Sequence, residues 1–268
     1  MRIPDQENLA RRLAQMRFQG GDDEHLREPT FAPRVREEIG PVSNQGEQHV
    51  TRWLCWVVVL AFCFISEQAL AADPERRVES NVVTSQADPA VRVELPKGVQ
   101  YLGADRFVLY DIADCELHLF VEANAQRELE RRYWIQFEGY LPSKPELQHT
   151  YDSTRHATIG GLDFFVDTWV TARDAPVKPG SDGEHVRSLI AAKGYKFPAA
   201  GMMSVRLVYL FADKHKELMI IYSEDLSATG LTAADLDEGG KAREQWPAIE
   251  KGLIERAEKK ISIISTAP

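Results

Sequence analysis

A chain of 268 residues with 32 basic and 41 acidic side chains carries a formal net charge of −9, and 44% of it is hydrophobic. That balance supports a folded core and excludes a surface built for nucleic acid or anionic lipid, because phosphate binding runs on clustered Lys and Arg. Three cysteines, two of them inside one apolar run, exclude a disulfide-stapled scaffold.

Residues 1–71 contain eight Arg, ten acids and no Lys, whereas Lys is common from Lys97 onward. Within them, Trp53 to Ile65 is a 13-residue apolar run, preceded by Arg52 and followed by the small-x-small triplet Ala69-Leu70-Ala71. A basic flank, a short greasy stretch and a small-residue cleavage site are the parts of a secretory leader, so residues 50–71 are expected to be cleaved and the product to be periplasmic or secreted. Leaders are read from the nascent end, which makes residues 1–49 either untranslated upstream sequence with a misassigned start or a disordered tail. Gln45-Gly46-Glu47 can be encoded by a purine tract of the kind bacterial ribosomes bind, which favours Val50 as the initiator. The alternative keeps residues 53–72 as a membrane anchor. That anchor would carry Glu67, and a mid-membrane carboxylate costs about 2.5–3.5 kcal/mol. Bulky Phe62 before Cys63 argues against a lipoprotein site.

Cleavage after Ala71 leaves 197 residues of net charge −7, enough for one domain, with Cys115 as the sole thiol and no membrane span. Free Cys is among the most often buried residue types. Residues 72–92 are polar, contain Pro74 and Pro89, show neither helical nor strand period, and read as a flexible lead-in to a single globular domain at 93–264. Phe107–Ile112 and Glu116–Glu122 follow as a hairpin turning at Ala113-Asp114-Cys115, with Leu117, Leu119 and Val121 on one face and His118 and Phe120 on the other. Tyr133, Ile135 and Phe137 alternate with Gln136 and Glu138 across a strand from Arg132 to Tyr140.

Arg155–Ile159 and Leu162–Thr171 flank Gly160-Gly161, a pair that tolerates the positive φ of a tight turn, and Leu162, Phe164, Val166 and Val170 point inward. Ser181-Asp182-Gly183-Glu184 is a capping box opening a helix that Gly194 stops. Val205–Ala212 and Glu217–Ser223 form another hairpin, apolar on nearly every residue and hence covered on both faces. Thr232–Leu236 adds a short turn. A last helix starts at Pro247 and buries Ile249, Leu253, Ile254 and Ala257. The class is therefore α+β: a mostly antiparallel sheet of about six to eight strands built from hairpins, with two packed helices at about 182–193 and 247–260.

Motifs for chemistry are sparse. Glu238-Gly239-Gly240-Lys241 lacks the first glycine and the following Ser or Thr of a phosphate loop, and there is no G-x-S-x-G, H-E-x-x-H or C-x-x-C. Asp163 and Asp167 share a strand face, but four residues set their Cα atoms about 13 Å apart, beyond the roughly 5–9.5 Å of glycosidase carboxyls. His118, beside Glu116 and Glu122, reads as a satisfied surface histidine. His149, Asp152 and His156 offer metal-ligand types at a spacing that is neither helical nor knuckle-like.

A stronger pattern is the interleaving of rings and acids: Trp134 and Glu138 on one strand, Phe165, Asp167 and Trp169 on another. If those strands are neighbours, one surface could stack a sugar or attract a cation. These observations lead to an exported bacterial domain that binds a small ligand or another envelope protein without catalysis and without a cofactor. A hydrolase or metal-dependent enzyme near His149, Asp152 and His156, or a purely structural envelope component, are the alternatives.

Overall fold

The computed structural model describes residues 74–266; the expected leader at 50–71, with Cys55 and Cys63, and the segment 1–49 lie outside them. Eleven strands occur among the described residues. In chain order they are β1 (Arg77–Glu79), β2 (Val82–Ser85), β3 (Val91–Glu94), β4 (Gln100–Leu109), β5 (Ala113–Ala123) and β6 (Leu129–Tyr140). Then come β7 (His156–Ile159), β8 (Leu162–Thr171), β9 (Met202–Leu210), β10 (Lys216–Asp225) and β11 (Ser262–Ser265). Helices are α1 (Asp182–Ala192), the short α2 (Ala233–Leu236) and α3 (Trp246–Lys260).

All strand pairings are antiparallel and make two sheets, a seven-stranded one in the order β4-β5-β6-β10-β9-β8-β7 and a four-stranded one in the order β1-β2-β3-β11. The α+β class and its antiparallel hairpins thus stand as the sequence predicts. The largely apolar β9 and β10 occupy the middle of the large sheet and are buried on both faces. One face carries Phe120, Tyr133, Ile135, Phe164, Leu207 and Ile220 and is covered by α3 through Leu253 and Ala257 and by the small sheet through Val83, Val93 and Ile263. The opposite face carries Leu117, Leu119, Trp134, Val208 and Ile221, and α1 covers it with Val186 and Ile190. No helix among the described residues is long and apolar enough to cross a membrane.

Local chemistry explains the turns. Gly160 and Gly161 hold φ of 61° and 82° between β7 and β8. Ser181 accepts a hydrogen bond from the Glu184 backbone N–H at 3.3 Å, but Glu184 reaches back one residue further than a capping box requires, to the Gly180 N–H at 2.7 Å. Gly194 stops the helix at φ 74°.

Three expectations change. The β4–β5 turn lies at residues 110–112, with positive φ at Tyr110 and Asp111, and Ala113 to Cys115 already belong to β5. Apolar periodicity ran through Tyr110 and hid a turn that depends on two non-glycine residues in the left-handed region. Residues 77–85, which show no strand period, form β1 and β2, which pair with each other while β2 pairs onto β3. Tertiary pairing, not local pattern, makes them strands. His118 is fully buried rather than on the surface, with its Nε2 2.9 Å from Glu116 Oε1 and its Nδ1 3.2 Å from the Tyr101 hydroxyl.

Candidate functional site

The five residues Trp134, Glu138, Phe165, Asp167 and Trp169 share the α1-side face of the large sheet, but their strands β6 and β8 are separated by β10 and β9. Register sets three of them on two adjacent cross-sheet rows. Asp167 stands opposite Arg206, which shares its row through Ile221 with Trp134. One step along, Trp169 stands opposite Ser204, then Ser223, then Arg132. In this second row Arg132 Nη2 donates to Ser223 Oγ at 2.9 Å, and the Ser204 and Ser223 hydroxyls are 2.9 Å apart.

Above these rows opens a cleft of about 410 Å³. Trp134 and Trp169 lie in its lining with Arg132, Arg187 of α1 and Phe197, and segments around 170–178 and 233–237 complete it. Among its lining residues are four cationic side chains, Arg132, Arg173, Lys178 and Arg187, and two acidic ones, Asp182 and Asp237. Arg173 pairs with Glu128 at 2.8 Å. Arg132 and Arg187 differ: among the described residues neither forms an ion pair, and each guanidinium lies over a ring, Arg132 5.7 Å from Trp134 and Arg187 5.2 Å from Phe197. Arg132 Nε is buried without a hydrogen-bond partner among the described residues. Burial, reinforced by the nearby positive charge of Arg187, pulls Arg132 down to about 10 from its usual 12.5. Burial likewise lowers Arg187, against the opposing pull of Asp174.

The acids on this face are engaged with protein groups. Asp167 accepts from Arg206 Nε at 3.2 Å, and Glu138 accepts from Gln136 Nε2 at 3.0 Å. Trp169 is half-buried and donates from Nε1 to Thr171 Oγ1 at 3.0 Å. Phe165 is half-buried, its ring centroid 5.8 Å from that of Tyr151 and 4.6 Å from that of His156. The rings and acids thus share one sheet face, but β6 and β8 are not the neighbours that interleaving requires, and the cations beside them, Arg132 and Arg187, were not singled out in the sequence. Arg132 was legible only as a polar residue on the less apolar side of β6.

The three metal-type residues separate. Asp152 and His156 are exposed, and His156 Nδ1 sits 2.9 Å from Asp163 Oδ2. His149 is buried: its backbone N–H donates to Lys214 O at 2.9 Å, its ring stacks on Tyr140 at 4.3 Å and 19°, and its Nδ1 is 3.0 Å from Glu217 Oε2. Glu217 stands directly opposite Glu138 across β10 and β6. Among the described residues, Glu138, His149 and Glu217 are the group whose donor atoms all lie within 4.8 Å of one another. The sole acid of the mostly apolar stretch Glu217–Ser223 was the signal for Glu217, since doubly covered strands bury what they carry.

No protein-family model matches the chain, and neither does any curated protein or solved structure compared with it.

Proposed function

We propose that the protein is an exported binding domain, acting without catalysis, whose cleft takes a small anionic ligand that also presents a flat apolar surface. The observation that carries this reading is the pair Arg132 and Arg187, two half-buried guanidiniums that form no ion pair among the described residues, in a cleft flanked by Trp134 and Trp169. Burying like charges side by side is unfavourable unless an opposite charge joins them, and a guanidinium matches a carboxylate, sulfonate or phosphate in a bidentate fork. Tryptophan faces supply the contact area for a ring. The cleft has the size of a small-molecule site, roughly 300–1,000 Å³. Cationic lining favours an anion over the cation that rings and acids alone suggest.

Titration of tryptophan fluorescence tests this with one aromatic ring carried as carboxylate, sulfonate, neutral amide and quaternary ammonium. The anions are expected to quench and to bind about tenfold or more weakly to Arg132→Met, the factor that about 1.4 kcal/mol produces. Equal affinity for the amide, or for the ammonium, overturns the reading. Turnover of an ester, glycoside or phosphate panel that disappears in His156→Ala would replace binding by catalysis.

Export rests on the run Trp53 to Ile65 and its flanks. Intact mass of the product recovered from cells checks it: a chain beginning at Ala72 is expected, and one retaining Trp53 defeats cleavage in favour of the anchor at 53–72.

A further inference from the structure

We infer that Glu138, His149 and Glu217 bind one divalent transition-metal ion, with zinc as the reference case. This site is separate from the anion cleft and does not depend on it. Its donors are one imidazole and two carboxylates, brought together by a β6–β10 cross-strand pair and by the segment that follows Pro145. All three side chains are more than nine-tenths buried, with Glu217 at 0% and Glu138 and His149 at 4% exposure.

Two features point to a ligand rather than to an ordinary buried histidine. The first is His149 Nε2, a buried ring nitrogen without a hydrogen-bond partner among the described residues, while Nδ1 meets Glu217. Buried polar atoms are nearly always satisfied, so an orphaned ring nitrogen on a histidine that meets two carboxylates marks an unused lone pair. The second is the pairing of two carboxylates within 4.8 Å of each other, which repel when both are ionised and which a divalent cation draws together. Tetrahedral zinc at about 2.1 Å from each ligand holds its donors about 3.4 Å apart, so the cluster closes by about an ångström or less per donor.

The surroundings resemble the outer support that metal ligands receive. Gln136 Nε2 donates to Glu138, the Tyr151 hydroxyl donates to Glu217 Oε2 at 2.7 Å, and Tyr140 and Lys214 fix the His149 ring and backbone. Imidazole with carboxylate suits zinc, manganese(II) or iron(II), whereas calcium takes six to eight oxygen ligands and finds too few here.

Protein purified without a polyhistidine tag, stripped with chelator and dialysed against zinc, is expected to retain one zinc per chain by elemental analysis. Its Tm is expected to rise with zinc and not with equimolar calcium. Cobalt(II) substitution adds a direct readout, because ligand-field bands appear only when protein donors replace water. His149→Ala, Glu138→Gln and Glu217→Gln should each lose the bound metal and the cobalt bands, and the two near-isosteric Gln variants separate ligand loss from misfolding. His156→Ala should retain both. Wild-type protein that holds no zinc, a His149→Ala chain that still holds it, or loss in His156→Ala each overturns the assignment.

Discussion

Glu116 shows how one side chain can fasten a distant stretch of chain to a sheet. Its carboxylate accepts the backbone N–H groups of Glu75 and Arg76 at 2.7 and 2.8 Å, lies 3.2 Å from the Arg76 guanidinium, and meets His118 Nε2 at 2.9 Å. Burial alone would raise its pKa, but the His118 contact, the two backbone donors and the Arg76 charge outweigh burial and hold it at about 2 instead of 4.5. A carboxylate depressed in the folded state stabilises the fold fully above its unfolded value. That stabilisation is therefore lost as pH falls from about 4.5 to about 2. Acid titration followed by Tm should show a drop across this window, and Glu116→Gln should flatten it while lowering Tm at neutral pH. The same cluster pushes the Tyr101 hydroxyl up to about 12, through burial and the Glu116 charge. The neighbouring positions of Glu116 and His118 were legible in the sequence. Burial of His118 was not, because Tyr101 reaches it, and the 75–76 segment reaches its partner Glu116, from elsewhere in the chain.

Elements that carry their own punctuation were the ones the sequence placed best. Paired glycines set the β7–β8 turn, Ser181 and Gly194 bound α1, and Pro247 falls in the first turn of α3. The two glycines do different jobs, and substitution should separate them. A Cβ at Gly160 would lie 2.0 Å from the Ile263 carbonyl oxygen of β11, whereas one at Gly161 would meet nothing within 4 Å. Gly161→Ala is therefore expected to cost about 1 kcal/mol, from its left-handed φ alone. Gly160→Ala adds a backbone clash and should cost about 3 kcal/mol or more, read as the midpoint shift in urea. Strands β1, β2 and β11 were illegible for a common reason: each is three or four residues long and gains its hydrogen bonds from distant chain. The cleft shared that fate, since Arg132 and Arg187 come from β6 and α1, with no local spacing to connect them.

At the scale of the whole molecule, a large sheet apolar on both faces needs two covers. The small sheet is part of one of them, so residues before Val91 are structural. A chain begun at Ala90 loses β1 and β2 and uncovers Val93 and the core beneath it. It should unfold at markedly lower temperature and lose amide protection in β3 and β11 as well, whereas a dispensable lead-in would leave both unchanged. The anion cleft has the opposite relation to stability. Arg132→Met removes a buried charge, so Tm of the ligand-free protein should rise even as binding falls, by roughly 2–4 °C for each kcal/mol in a domain of this size. A further consequence lies at the rims of the large sheet. Its outermost strands are β7, only four residues long, and β4, where the register slips between Tyr101 and Gly103 and Asp105 and Arg106 follow. Neither flank offers a long, even row of amides and carbonyls onto which a stranger could zip. An open sheet of seven strands is thereby kept from growing an eighth out of its neighbours in solution.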